Sequence, residues 1–162
     1  MTSSQWAMLG AVFLGGAFPW MEAIIVIPAG ILAGLPTALV IIAAVVGNLL
    51  TVALAAIYGE RARRWWIERR RRRRPGGDHP ATAQRRSRRQ QRIDRVMTRW
   101  GMPGLAVLGP IGLGTQLSAL AAVAVGVRAR QAFLWVGAGT VAWSGVAAAL
   151  TLTGVSVAGI GA

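Results

Sequence analysis

Phe18-Pro19-Trp20-Met21-Glu22-Ala23-Ile24-Ile25-Val26-Ile27-Pro28 is the stretch that decides the fold of this chain. It sets one acid, Glu22, inside a long apolar run. Gly15, Gly16 and Pro19 precede the acid, and Pro28, Gly30, Gly34 and Pro36 follow it. A carboxylate inside hydrocarbon is costly unless it is neutral, paired or wetted by a cavity. Glu22 is therefore a functional candidate by its position alone. The breakers around it predict a backbone that is not one plain helix.

Length arithmetic turns that hint into an architecture. Residues 5–34 form an apolar stretch longer than the ~20 residues of one membrane crossing and shorter than two. A break near Gly15-Gly16-Ala17-Phe18-Pro19 splits it into two half-length pieces. This predicts a re-entrant helical hairpin, with irregular backbone covered by protein or a wet cavity. Glu22 falls near its tip, at the start of the second half-helix, where the helix N-terminus favours negative charge. The alternative is a single tilted helix kinked at proline, with Glu22 near the interface. Residues 36–58 then run apolar and uncharged for 23 residues, with proline first, which predicts a transmembrane helix. Gly47-Asn48 is its polar interruption. Asn48 is expected either to hydrogen-bond another helix or the hairpin, or to be a plain packing residue.

The chain then changes character. Of its 18 arginines, 16 lie between Arg61 and Arg99, and there is no lysine. Gly59 to Arg69 is expected to continue the helix out of the membrane, and Trp65 and Trp66 suit an interfacial aromatic belt. The middle of the block, Arg69 to Arg74, Pro75-Gly76-Gly77-Asp78-His79-Pro80 and Arg85 to Arg89, has almost no apolar residues and is expected to be loosely ordered. Ile93, Val96, Met97 and Trp100 recur at helical spacing, predicting an amphipathic helix over 92–100 that lies on the membrane surface. Arginine clusters beside membrane segments read as cytoplasmic topology and contact with anionic lipid. The residues named for that contact are Arg63, Arg64, Arg69, Arg70, Arg92, Arg95 and Arg99. Nucleic acid is not expected as a partner, because base-stacking aromatics are not interleaved with the arginines.

The second apolar block repeats the first. Residues 101–127 are again between one and two crossings, and are broken at Gly109-Pro110-Ile111-Gly112-Leu113-Gly114-Thr115-Gln116. Residues 131–153 follow as a second uncharged span, with Gly137, Gly139, Ala142 and Gly145 as a small-residue face. The expected fold is thus an all-α integral membrane protein of two inverted repeats, each a re-entrant helical hairpin followed by one transmembrane helix. Its parts are a first membrane half (1–58), a cytoplasmic arginine-rich linker (59–100) and a second membrane half (101–162). A multi-pass protein of the plasma (inner) membrane follows, with the central loop cytoplasmic and both termini outside. A cleaved signal peptide is not expected, since the start lacks a basic region and a small-residue cleavage site.

Inverted repeats with broken helices are the plan of many secondary transporters, whose sites lie at mid-membrane where the breaks meet. The candidates for a substrate or proton site are Glu22, Pro19, Pro28, Asn48, Pro110, Thr115 and Gln116. Composition excludes much else. The chain is 54% hydrophobic and only 14% charged, where soluble proteins carry about 25% charged residues. It has no cysteine and one histidine, His79, in a polar loop. No nucleophile with a base, metal cluster or phosphate loop is visible, so neither enzyme activity, a cofactor nor a metal is expected.

Taken together, several motifs look familiar. Pro19-Trp20-Met21-Glu22, Ile27-Pro28-Ala29-Gly30, Gly34-Leu35-Pro36 and Gly47-Asn48 resemble the family of putative small multi-drug export proteins. Trp100-Gly101-Met102-Pro103-Gly104-Leu105, the Gly109 to Thr115 break, Gly126 and the Trp143-bearing helix fit the same pattern. With Tyr58-Gly59-Glu60-Arg61, the chain is also similar to the wider DedA / VTT superfamily. The resemblance implies a transporter-like fold that moves small amphipathic compounds or lipid carriers, linked to protons through Glu22. The family tends to carry an arginine where Ile24 stands. The superfamily carries an arginine in the second hairpin, where this chain has none, and an aspartate where Asn48 stands. These departures leave Glu22 without an intramembrane counter-ion. They keep open the alternative of a structural or accessory subunit of a larger membrane complex without transport activity of its own. Membrane lipids, and a homodimer mate or another membrane protein that covers so thin a bundle, are the expected partners.

Overall fold

A computed structural model describes residues 2–19, 21–73, 101, 103–104, 106–107 and 113–157. Among these residues the chain is helical, with no strand. Five helices follow in order: α1 (Ser3–Ala17), α2 (Glu22–Leu32), α3 (Thr37–Arg72), α4 (Thr115–Val125) and α5 (Ala129–Val157). The predicted amphipathic helix over 92–100 and most of the arginine linker lie outside the described residues.

Local chemistry sets the boundaries. The backbone N–H of Thr2 donates to Gln5 Oε1 (3.0 Å), closing the start of α1. Pro19 forces Phe18 out of helical conformation, and Phe18 is extended at φ −78° and ψ 130°. α1 therefore ends at Ala17. α2 ends before Gly34, which takes φ +75°, a conformation open to glycine. Pro36 then caps α3. The first apolar stretch thus resolves into helices of 15 and 11 residues, each shorter than the ~20 that cross a bilayer. Gly15, Gly16 and Ala17, expected in the break, are the last residues of α1, and among the described residues the break takes in Phe18, Pro19 and Met21. Pro28 is not a second break, because α2 runs through it.

α3 and α5 are long and apolar enough to cross a membrane. Only 33% of the apolar window of α3 and 39% of that of α5 are buried inside the protein. The rest faces outward, and on α3 it carries Ile42, Val46, Leu50, Leu54 and Ile57 at helical spacing. An apolar stripe of that length marks a surface meant for lipid rather than water. α3 continues past Tyr58, as expected for Gly59 to Arg69, and runs as one helix to Arg72, so Arg69 to Arg72 are helical rather than loosely ordered.

α3 is the spine, and touches all four other helices. One apolar core joins Leu9 and Val12 of α1, Val26 and Ile27 of α2, Val40 and Ala44 of α3, and Ala148 of α5. A second joins Val52 and Ala56 of α3, Ala119, Ala122 and Val123 of α4, and Ala132 and Val136 of α5. Glycine sets the register on the α1 side. A Cβ on Gly47 would overlap the Phe13 carbonyl, and one on Gly16 would overlap that of Ala44. The backbones of α1 and α3 are in direct contact there, as small residues permit in lipid.

Candidate functional site

The site is built where the N-terminus of α2 meets the N-terminus of α4, against the middle of α3. Glu22 is the first residue of α2 and is buried, with 5% exposure. Its backbone has φ +34°, the one positive value outside glycine among the described residues. Such a conformation costs of order 1–3 kcal/mol and persists where surroundings over-determine it.

What over-determines it comes from the other half of the chain. Glu22 Oε1 accepts hydrogen bonds from the backbone N–H of Thr115 and from its hydroxyl, the latter at 3.1 Å. Thr115 opens α4, so its N–H has no partner within its own helix. The dipole at that terminus favours the carboxylate. Gly114 makes the approach possible. It takes φ +85°, and a Cβ there would lie 3.0 Å from Glu22 Oε1.

Asn48 and Gln116 complete the cluster. The Thr115 hydroxyl lies 2.9 Å from Asn48 Oδ1 and 3.2 Å from Gln116 Oε1. Gln116 Nε2 donates to Thr51 Oγ1 (3.2 Å), which turns the amide oxygen of Gln116 towards Thr115. The Thr51 hydroxyl donates to the Asn48 carbonyl (2.9 Å). Asn48 is fully buried, and its Nδ2 has no partner among the described residues. One hydroxyl proton therefore faces three acceptor oxygens on three helices.

Of the residues expected at the site, Glu22, Asn48, Thr115 and Gln116 come together. Pro19 lies exposed in the α1–α2 turn. Pro28 is half-buried, six residues or about 9 Å along α2 from Glu22. Pro110 lies outside the described residues, as do Arg92, Arg95 and Arg99. Arg63 is half-buried and Arg64 exposed on the continuation of α3, where Arg64 pairs with Glu60. The Arg69 and Arg70 guanidinium groups sit 5.0 and 5.6 Å from the ring centres of Trp65 and Trp66.

Sequence reasoning passed over three contributors. Thr51 stands three residues after Asn48, on nearly the same face of α3, and that spacing could have found it. Gly114 was visible only as one glycine of the break. Glu60 holds the second half from the other end, since its Oε2 accepts the backbone N–H of Ala129 (2.9 Å), the first residue of α5. No local signal marks it for this role, because Glu60 lies within α3 and its partner is 69 residues away.

Comparison with known families finds a match over residues 22–157 to the family described as "Putative small multi-drug export protein". No curated protein and no solved structure matches the chain.

Proposed function

The chain belongs to this small multi-drug export family, a family of membrane proteins and not of enzymes, and from that membership we propose that it is a proton-linked exporter of small amphipathic compounds or lipid carriers. One observation carries the reading. Glu22, an acid in the apolar bundle, bonds across 93 residues to the start of α4. A protonatable group held between two half-length helices has the ingredients of a coupling site. Because Oε1 is shared between the halves, a change in the charge of Glu22 alters the contact that joins them.

Topology supports this reading. The lengths of α1, α2 and α4 suit re-entrant arms, and the plan of short helices followed by a long helix recurs as α1–α2–α3 and α4–α5. The arginines at the far end of α3 favour a cytoplasmic linker, with the two halves inverted about the Glu22 cluster. The arginines suit contact with anionic lipid. The thinness of the bundle favours a second copy or another membrane protein covering it.

The test is export in proteoliposomes under an imposed pH gradient, with a fluorescent amphipathic compound as cargo. Wild type is expected to show pH-driven movement, and Glu22→Gln to lose that component with the fold intact. Undiminished pH-driven movement in Glu22→Gln would sink the proton role. No movement in wild type favours the accessory-subunit reading, for which the missing intramembrane arginines already speak.

A further inference from the structure

The Glu22 cluster holds more acceptors than protons, and this imbalance has a chemical complement. Glu22 Oε1, Asn48 Oδ1 and Gln116 Oε1 converge on one hydroxyl at 2.9–3.2 Å. A hydroxyl donates once. Two of these three oxygens therefore face Thr115 without a proton between. Turning the Asn48 amide over would let Nδ2 donate to the Thr115 oxygen, but Gln116, held by its bond to Thr51, would still face that hydroxyl with its oxygen.

Charge points the same way. The described helices α1, α2 and α4 carry no basic residue. On α3 the first arginine, Arg61, lies 13 residues or about 20 Å beyond Asn48. Arg128 and Arg130 flank the start of α5, the end held by Glu60. Nothing positively charged among the described side chains faces Glu22 from the helices packed on it. Glu22 Oε2 accepts no hydrogen bond among them either.

We infer that the cluster receives the ammonium group of an amphipathic primary or secondary amine. Such a group brings the missing positive charge and two or three N–H donors in one small head. The donors match the surplus acceptors, and the apolar remainder suits a bundle whose outer surface is hydrocarbon. A quaternary ammonium supplies the charge without the donors, and leaves the acceptors unmet. An alcohol supplies one donor without the charge. The site thus selects for N–H as well as for charge. This deepens the export reading by naming the cargo's head group, and its cellular meaning rests on that reading. Proton and ammonium compete for one carboxylate.

Binding separates the two claims because it needs no transport. The purified full chain in detergent, near neutral pH, is melted against hexylammonium, hexyltrimethylammonium and hexanol, and affinities are taken from the shifts. Hexylammonium is expected to raise the melting temperature and to bind about tenfold or more tighter than the quaternary ion, with hexanol weaker still. Glu22→Gln is expected to abolish the preference. Gln116→Leu, which removes one acceptor and keeps the charge, is expected to lower hexylammonium affinity about fivefold, and serves if Glu22→Gln does not fold. Equal binding of primary and quaternary ions, or unchanged hexylammonium binding in either variant, overturns the inference. Amine selectivity in a chain that fails to transport keeps the inference and removes the export reading. Proton-driven export without amine selectivity does the reverse.

Discussion

Glu22 and Glu60 each accept a backbone N–H from the first residue of a later helix, Thr115 of α4 and Ala129 of α5 respectively. The local device is the same: a carboxylate satisfies an orphan donor at a helix N-terminus and meets the favourable end of its dipole. The surroundings differ. Glu60 has a cation one turn away, Arg64, bonded to its other oxygen, and its side chain is 18% exposed. Glu22 has no cation facing it among the described residues. It has instead a strained backbone, a glycine that admits its oxygen and two amide oxygens for neighbours. One acid is a finished structural tie at the arginine-bearing end of α3. The other is held by the same tie but left with unspent charge and acceptors. The partners left over, rather than the bond made, mark the candidate site.

The largest expected disturbance of that contrast is Gly114→Val. A β-branched side chain at φ +85°, with its Cβ within 3.0 Å of Glu22 Oε1, should cost about 3 kcal/mol and prise the halves apart at the Glu22 end. A melting temperature within a degree or two of wild type would show that the contact is not tight. Glu60→Gln should cost less, about 1 kcal/mol, because an amide oxygen can still accept the Ala129 N–H while the charge is lost. Its effect should shrink in high salt, and denaturation at low and high ionic strength measures this. Arg64→Gln should be smallest, within about 0.5 kcal/mol, since it removes only an exposed helical ion pair. If Arg64→Gln destabilised as much as Glu60→Gln, the counter-ion would be the true support, and the distinction between the two acids would rest on Arg64 alone.

Much of this was legible in the chain. The apolar lengths indicated two long helices, and the break expected near Gly15 to Pro19 falls at Phe18, which Pro19 bars from helical conformation, so that α1 ends at Ala17. Glu22 stood out because charge in hydrocarbon is costly wherever it lies. Asn48, Thr115 and Gln116 were visible as the polar groups of one span and one break. Gly59 to Arg69 likewise read as a continuation of the helix beyond the membrane, and α3 runs on to Arg72. Arginine continues a helix well, so no residue near Tyr58 stops it before Arg72. Pro28 misled: it reads as a breaker but sits within α2, where the loss of one backbone bond is tolerated beside packed neighbours.

The sequence by itself determined the all-helical class, the two long apolar helices and the identity of the isolated acid, because these follow from hydrophobicity, length and local backbone sterics. Only the tertiary structure decided that Glu22 bonds to Thr115, that three acceptors share one hydroxyl, and that Glu60 closes α5. Those contacts depend on the register at which helices pack. That register is set by backbone meeting backbone at Gly16 and Gly47 and by the conformation of Gly114. A glycine announces in sequence only that close approach is possible, never what approaches it.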